Sequence, residues 1–132
     1  MKAAGVRKRR GTPEADLQRA VVRWLRLVLP GDAIVHHSPN ETGDGSEAAR
    51  KRQAVLVGMG VFPGFADVVV LARGRVLFLE LKSPTGSLSD DQKEFRRRVW
   101  AQGLPWALVR SLDDAADALD AFGISYLRTR GL

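Results

Sequence analysis

Two carboxylates and an ammonium group fall within a short central stretch of the chain: Asp67, Glu80 and Lys82. Asp67 opens an apolar segment over residues 66–72, and Glu80 and Lys82 close a second over residues 75–82, with Arg73-Gly74 between them. Segments of this composition read as strands, and the dipeptide as the turn of a hairpin. With a two-residue turn Ala72 faces Arg75, and counting outward places Asp67 opposite Glu80. Cross-strand partners leave the same face of a sheet. Lys82, two residues beyond Glu80, leaves that face as well. Paired carboxylates repel and destabilise a sheet unless something neutralises them. Their oxygens suit a hard cation such as Mg2+ or Mn2+, which keeps waters for a phosphate and a nucleophile. Such an ion acidifies a bound water and offsets charge developing on a phosphate. The lysine would orient that water, help deprotonate it, or stabilise the transition state; the sequence leaves the three open. Taken alone, an Asp at a strand start and a Glu-x-Lys at a strand end are commonplace solvent-facing ions. The pairing register argues otherwise, because acids on a wet face have no reason to sit opposite each other.

The flanking elements must position this trio. Thr12-Pro13-Glu14 is a helix start, with a capping hydroxyl, proline at the first helical position and an early acid. Leu17, Ala20, Val21, Trp24, Leu25 and Val28 recur at helical spacing, while Arg19, Arg23 and Arg26 fall mostly on the other side, and Pro30-Gly31 stops the helix. Residues 33–37 form a short strand, residues 38–46 a loop of turn formers, and residues 47–59 a helix carrying Arg50, Lys51 and Arg52. Pro63-Gly64 is a further break. After a glycine-bearing loop, Ser89-Asp90-Asp91-Gln92 matches a capping box opening a helix to about residue 102. A strand over residues 106–110 and a last helix capped by Ser111 complete an α/β order, a central mixed sheet flanked by helices. The two central strands are apolar at nearly every position, which predicts a sheet covered on both faces.

At 132 residues the chain fits one domain, and its 45% apolar content predicts that it folds. A net charge of +6 and a pI near 10.5 favour an anionic partner, nucleic acid or an acidic membrane surface. The absence of cysteine excludes disulfides and thiolate metal sites. No apolar run approaches the roughly 20 residues that cross a bilayer, and the basic start has no apolar stretch behind it. These features read as a soluble, cytoplasmic protein. Residues 1–11 read as a flexible basic arm, residues 12–124 as the folded domain and residues 125–132 as a tail.

Pro63-Gly64-Phe65-Ala66-Asp67, Phe78-Leu79-Glu80-Leu81-Lys82-Ser83 and Gly86-Ser87-Leu88-Ser89-Asp90-Asp91-Gln92 together resemble the PD-(D/E)xK nuclease superfamily, and more closely its VRR-NUC branch, the virus-type replication-repair nucleases. The resemblance runs from about Glu14 to Gly123 and includes His37-Ser38-Pro39-Asn40-Glu41 and residues 53–60. It implies a restriction-endonuclease-like core and metal-dependent hydrolysis of DNA phosphodiesters. Asp67 and Glu80 would be metal ligands, the Leu81 backbone carbonyl would complete the site, and Lys82 would be the catalytic lysine. Glu14 matches the acid of the family's first helix, and Gln92 the glutamine on the helix after the lysine. Ala66 departs from the pattern where many members have proline, a position that shapes the turn. The resemblance further implies cutting of branched or Holliday-junction-like DNA by a homodimer, and a phage or prophage origin. Competing readings are a non-catalytic nucleic-acid-binding module and a flap- or nick-directed nuclease of the same fold.

Each supporting residue also has an ordinary explanation. Glu14 and Gln18 share a helix face, where a first-turn acid favours the dipole without any site. Position three of a capping box accounts for Gln92. His36 and His37 point to opposite faces of a strand; His36 reads as partly buried and His37 as a DNA contact. Asn40 suits a turn as well as a substrate loop. Arg50, Lys51 and Arg52 read as phosphate contacts, or else as a solvated face. Trp24, Trp100 and Trp106 read as core or interface residues.

Overall fold

The structure is a computed structural model that describes residues 12–39 and 45–128. The basic arm, Asn40, Glu41 and residues 129–132 lie outside the described residues. In chain order the elements are α1 (Pro13–Val28), β1 (Ile34–His37), α2 (Glu47–Gly58), β2 (Val68–Ala72), β3 (Arg75–Leu81), α3 (Asp90–Ala101), β4 (Trp106–Val109) and α4 (Leu112–Ala121). Each helix starts where a hydroxyl side chain accepts from a backbone N–H of the first turn: Thr12 from Ala15, Ser46 from Ala49, Ser89 from Gln92 and Ser111 from Asp114. Such caps each contribute about 0.5–2 kcal/mol.

The four strands lie in the order β1-β2-β3-β4, antiparallel except for the parallel β3–β4 pair that α3 connects. Arg73 and Gly74 both have positive φ, 52° and 75°, the geometry of a two-residue hairpin turn whose twist matches its strands. Ala72 pairs with Arg75, as the dipeptide predicts, and the ladder runs to Val68 and Leu79. It stops one pair short of Asp67 and Glu80. The Leu81 N–H instead bonds the Asp67 side chain, at 2.8 Å.

Strand pleating divides the core. Val68, Val70, Leu77, Leu79 and Leu81 bury one sheet face against Val21 and Leu25 of α1 and Ala115 and Leu119 of α4. On the other face Phe78 joins Phe65 and Phe95 in a cluster with ring centroids 4.7–5.7 Å apart, beneath α3. The expectation of a sheet covered on both faces holds only in part. α3 shields the β3–β4 side, while the cross-strand pair Ile34 and Leu71 stays 56% and 43% exposed. Of the residues of α2 only Ala49 is buried. After α4, Tyr126 stacks edge-on against Trp24, and the Leu127 N–H bonds the Val28 carbonyl at 2.8 Å. Among the described residues, no helix is long and apolar enough to cross a membrane.

Candidate active site

Glu80 is the one buried charged residue among those described, with no exposed surface. It leaves β3 on the Phe78 face, opposite the core leucines, because side chains alternate along a strand. One of its oxygens, Oε1, accepts from the Gln92 amide at 2.7 Å. The other, Oε2, is buried without a hydrogen-bond partner among the described residues. Burial chiefly, and then the neighbouring Asp67 carboxylate, push the Glu80 carboxyl up from the usual 4.5 to about 9; Lys82 pulls the other way and Glu14 adds slightly to the rise. When protonated, Glu80 can donate to Asp67. When both are ionised, two acids face each other with an orphaned oxygen between protein walls.

Asp67 is held from two sides. Its Oδ2 accepts from the Leu81 N–H, and its backbone carbonyl receives the Ser38 N–H at 2.8 Å and lies 3.0 Å from His37 Nδ1. The carboxylate is thereby strapped between the end of β1 and the end of β3. His37, expected on DNA, holds the back of Asp67 in this arrangement. His36 is exposed, against the expectation of partial burial, because β1 is the edge strand and α3 does not reach it.

Gln92 closes the capping box that its position suggested and also reaches Glu80. Its Oε1 accepts from the Ser89 N–H at 2.9 Å to close the capping box, while its Nε2 reaches Glu80. Lys82 is half-buried beside Glu80 and follows directly on Leu81, the last residue of β3. Glu14, in the first turn of α1, is near enough to act on the Glu80 carboxyl. The structure thus gathers Asp67, Glu80, Lys82, Gln92 and, more loosely, Glu14. Arg50, Lys51 and Arg52 lie exposed on α2, with Lys51 ion-paired to Glu47 at 3.5 Å.

Two residues of this region were given no role in the site by the sequence. Arg110, just past β4, donates from Nη1 to the carbonyls of Ser83 and Gly86 at 2.6 and 2.8 Å, clamping the loop that follows Lys82. Gly64 has φ +73°, and a Cβ there would lie 2.3 Å from the Asp91 carbonyl and 2.5 Å from the Gln92 nitrogen. The Pro63-Gly64 turn therefore touches the first turn of α3 directly. The sequence marks it only as a break. Trp106 is core, whereas Trp100 is half-exposed with Arg96 stacked on it.

The donor set fits a hard divalent cation. An orphaned buried carboxylate oxygen and a second carboxylate are both oxygen ligands. Among the described residues no three acids or histidines converge closely enough to hold a metal by themselves. Magnesium is commonly held in this way, by one or two carboxylates with water and phosphate supplying the rest.

Among solved structures the chain is similar to a protein described as a "VRR_NUC domain protein", with a TM-score of 0.65 and 22% identity, over 86% of this chain and 89% of that one. No family model matches the sequence, and no curated protein does. At that identity the likeness lies in the fold. This chain has the fold of a VRR-NUC domain.

Proposed function

We propose that this chain is a VRR-NUC nuclease, a Mg2+- or Mn2+-dependent endonuclease that hydrolyses DNA phosphodiester bonds. The observation that carries the reading is the buried Glu80 Oε2, which has no hydrogen-bond partner among the described residues although the Asp67 carboxylate and the half-buried Lys82 act on the same carboxyl group. A carboxylate kept dry, next to another acid, is costly to the fold and has a use if a cation completes it. Asp67, Glu80 and the Leu81 carbonyl would hold the ion. Once bound, it would supply an acidified water and offset charge on the scissile phosphate.

The chain's own groups do the rest. Gln92 fixes the Glu80 carboxylate through Oε1 and so aims Oε2. The Leu81 N–H and the β1 contacts fix Asp67. Lys82 brings a cation and a proton donor to the same edge, where it orients the attacking water or stabilises the charged transition state. Arg110 keeps the loop after Lys82 closed.

Branched or junction DNA as substrate, and a symmetric homodimer that cuts both strands, form the finer part of this reading; they rest on the sequence resemblance. The test is a panel of junction, flap, nicked, duplex and single-stranded DNA incubated with Mg2+, Mn2+ or chelator, beside Asp67→Ala. Cutting that needs metal and Asp67 supports the reading. Cleavage that survives chelator removes the metal mechanism, cutting confined to flaps removes the junction preference, and binding without cutting leaves a nucleic-acid-binding module.

A further inference from the structure

We propose that the groove between α1 and β1 is a track for the DNA sugar-phosphate backbone leading to the catalytic centre, a role that rests on the nuclease reading above. The groove encloses about 530 Å3, with Arg19, Arg23 and Arg26 along it, Val22 and Leu27 in its wall and His37 at one end. Residues spaced four and three apart share one face of a helix, so the three guanidinium groups form a stripe. Arg19 and Arg26 are seven rises of 1.5 Å apart, about 10 Å, comparable to three phosphate-to-phosphate steps of one strand at about 3.4 Å each along the duplex axis.

The groove is continuous with the site. His37 lines it and touches the carbonyl of Asp67 through Nδ1. Gln18 also lines it, one helical turn from Glu14, which acts on Glu80. A strand lying along the arginines therefore runs toward the carboxylate pair. The charge along the stripe is little compensated. Arg19 shares Asp16 at 3.2 Å in an exposed pair, which is worth little. Arg23 is exposed and has no hydrogen bond or ion pair among the described residues. Arg26 spends one N–H on the Val35 carbonyl at 3.2 Å, which fixes the guanidinium against β1. Guanidinium forks suit phosphate oxygens, and the apolar wall from Val22 and Leu27 suits the less polar sugar faces.

The test uses the full chain with labelled junction and duplex DNA, in chelator, across a salt series of roughly 50 to 200 mM. The double variant Arg19→Gln/Arg23→Gln removes exposed charge and leaves Arg26 on β1; a melting curve confirms that the fold is kept. Each lost phosphate contact lowers the slope of log K against log salt by about 0.9, so the pair lowers it by about 2, equally for junction and duplex. Arg23→Glu weakens binding further than Arg23→Gln. A slope and affinity equal to wild type overturns the proposal. Cleavage assays with Mn2+ separate the two readings. Normal cutting with an unchanged salt slope removes only the groove. Absence of cutting by wild type, with the slope reduced in the variant, removes only the nuclease reading.

Discussion

Gln92 donates to Glu80 Oε1 at 2.7 Å with the same side chain that closes the amino-terminal cap of α3. Helix start and candidate-site geometry are therefore one hydrogen-bonded unit, spanning Ser89, Gln92 and Glu80. Any motion of the first turn of α3 moves the carboxylate, and the reverse also holds. The two roles of Gln92 can be separated by choosing the substitution.

Gln92→Glu keeps an acceptor for the Ser89 N–H, and an acid in the first turn suits the helix dipole. Toward Glu80 it replaces a donor with a second carboxylate. The expected outcome is little change in metal-loaded melting temperature and a loss of activity of about 10- to 100-fold, as for other residues that orient metal ligands. Gln92→Ala loses both functions, with a further stability cost of about 1 kcal/mol. Equal activities of wild type and Gln92→Glu would remove the positioning role.

The raised Glu80 carboxyl has a direct thermodynamic consequence. Because its folded value, about 9, lies above its usual 4.5, the folded chain binds a proton that the unfolded chain has released. Stability from this group is fully present at low pH and is lost progressively as pH rises from about 4.5 to about 9. Glu80→Gln should therefore melt higher than wild type at pH 8 in chelator, with a smaller gap at acidic pH, and should be inactive. Melting curves at several pH values measure this; a variant less stable than wild type at pH 8 would contradict it.

Metal binding by this pair should displace the proton. Titration of Mn2+ into the protein near pH 7.5 should release close to one proton per site, visible as a dependence of the calorimetric heat on buffer ionisation enthalpy. The rise in melting temperature with Mn2+ should grow with pH over the same window. Asp67→Asn should bind the ion more weakly. Binding heat with no buffer dependence would place the cation elsewhere.

Gly64 is a position where one methyl group should be felt at a distance. Its φ of +73°, and the backbone of Asp91 lying where an added Cβ would go, mean that Gly64→Ala meets both backbone strain and collision with a helix. The cost should be at least about 2 kcal/mol. In the variant that still folds, activity should fall beyond what stability explains, because the displaced turn carries Gln92. A Gly74→Ala control meets nothing within 4 Å, and should cost strain alone.

Arg110→Lys retains the charge but places its ammonium differently from the Nη1 that reaches both the Ser83 and Gly86 carbonyls. Activity should fall with DNA affinity nearly intact, since the residue positions the loop after Lys82. Limited proteolysis should find new cleavage within residues 83–88. Unchanged kcat would contradict the clamp.

Much of this architecture is legible in local sequence because its causes are local. Arg73-Gly74 sets a two-residue turn, and the period of two along the strands then puts Asp67, Glu80 and Lys82 on one face. Hydroxyl caps at Thr12, Ser89 and Ser111 start three helices where expected, and α2 starts where the loop of turn formers ends, capped by Ser46. Only tertiary structure decided that the ladder ends at Val68 and Leu79, leaving the Asp67 carboxylate free to take the Leu81 N–H. It also decided that α3 docks on Gly64 and delivers Gln92 to Glu80, and that Arg110 reaches back across 27 residues to Ser83. The exposure of Leu71 and Ile34 belongs with these, since no pattern within a strand reveals how far a helix extends over a sheet. Periodicity and turn chemistry act over a few residues. Burial and long-range hydrogen bonds depend on which distant segments pack together, and that is a property of the whole folded chain.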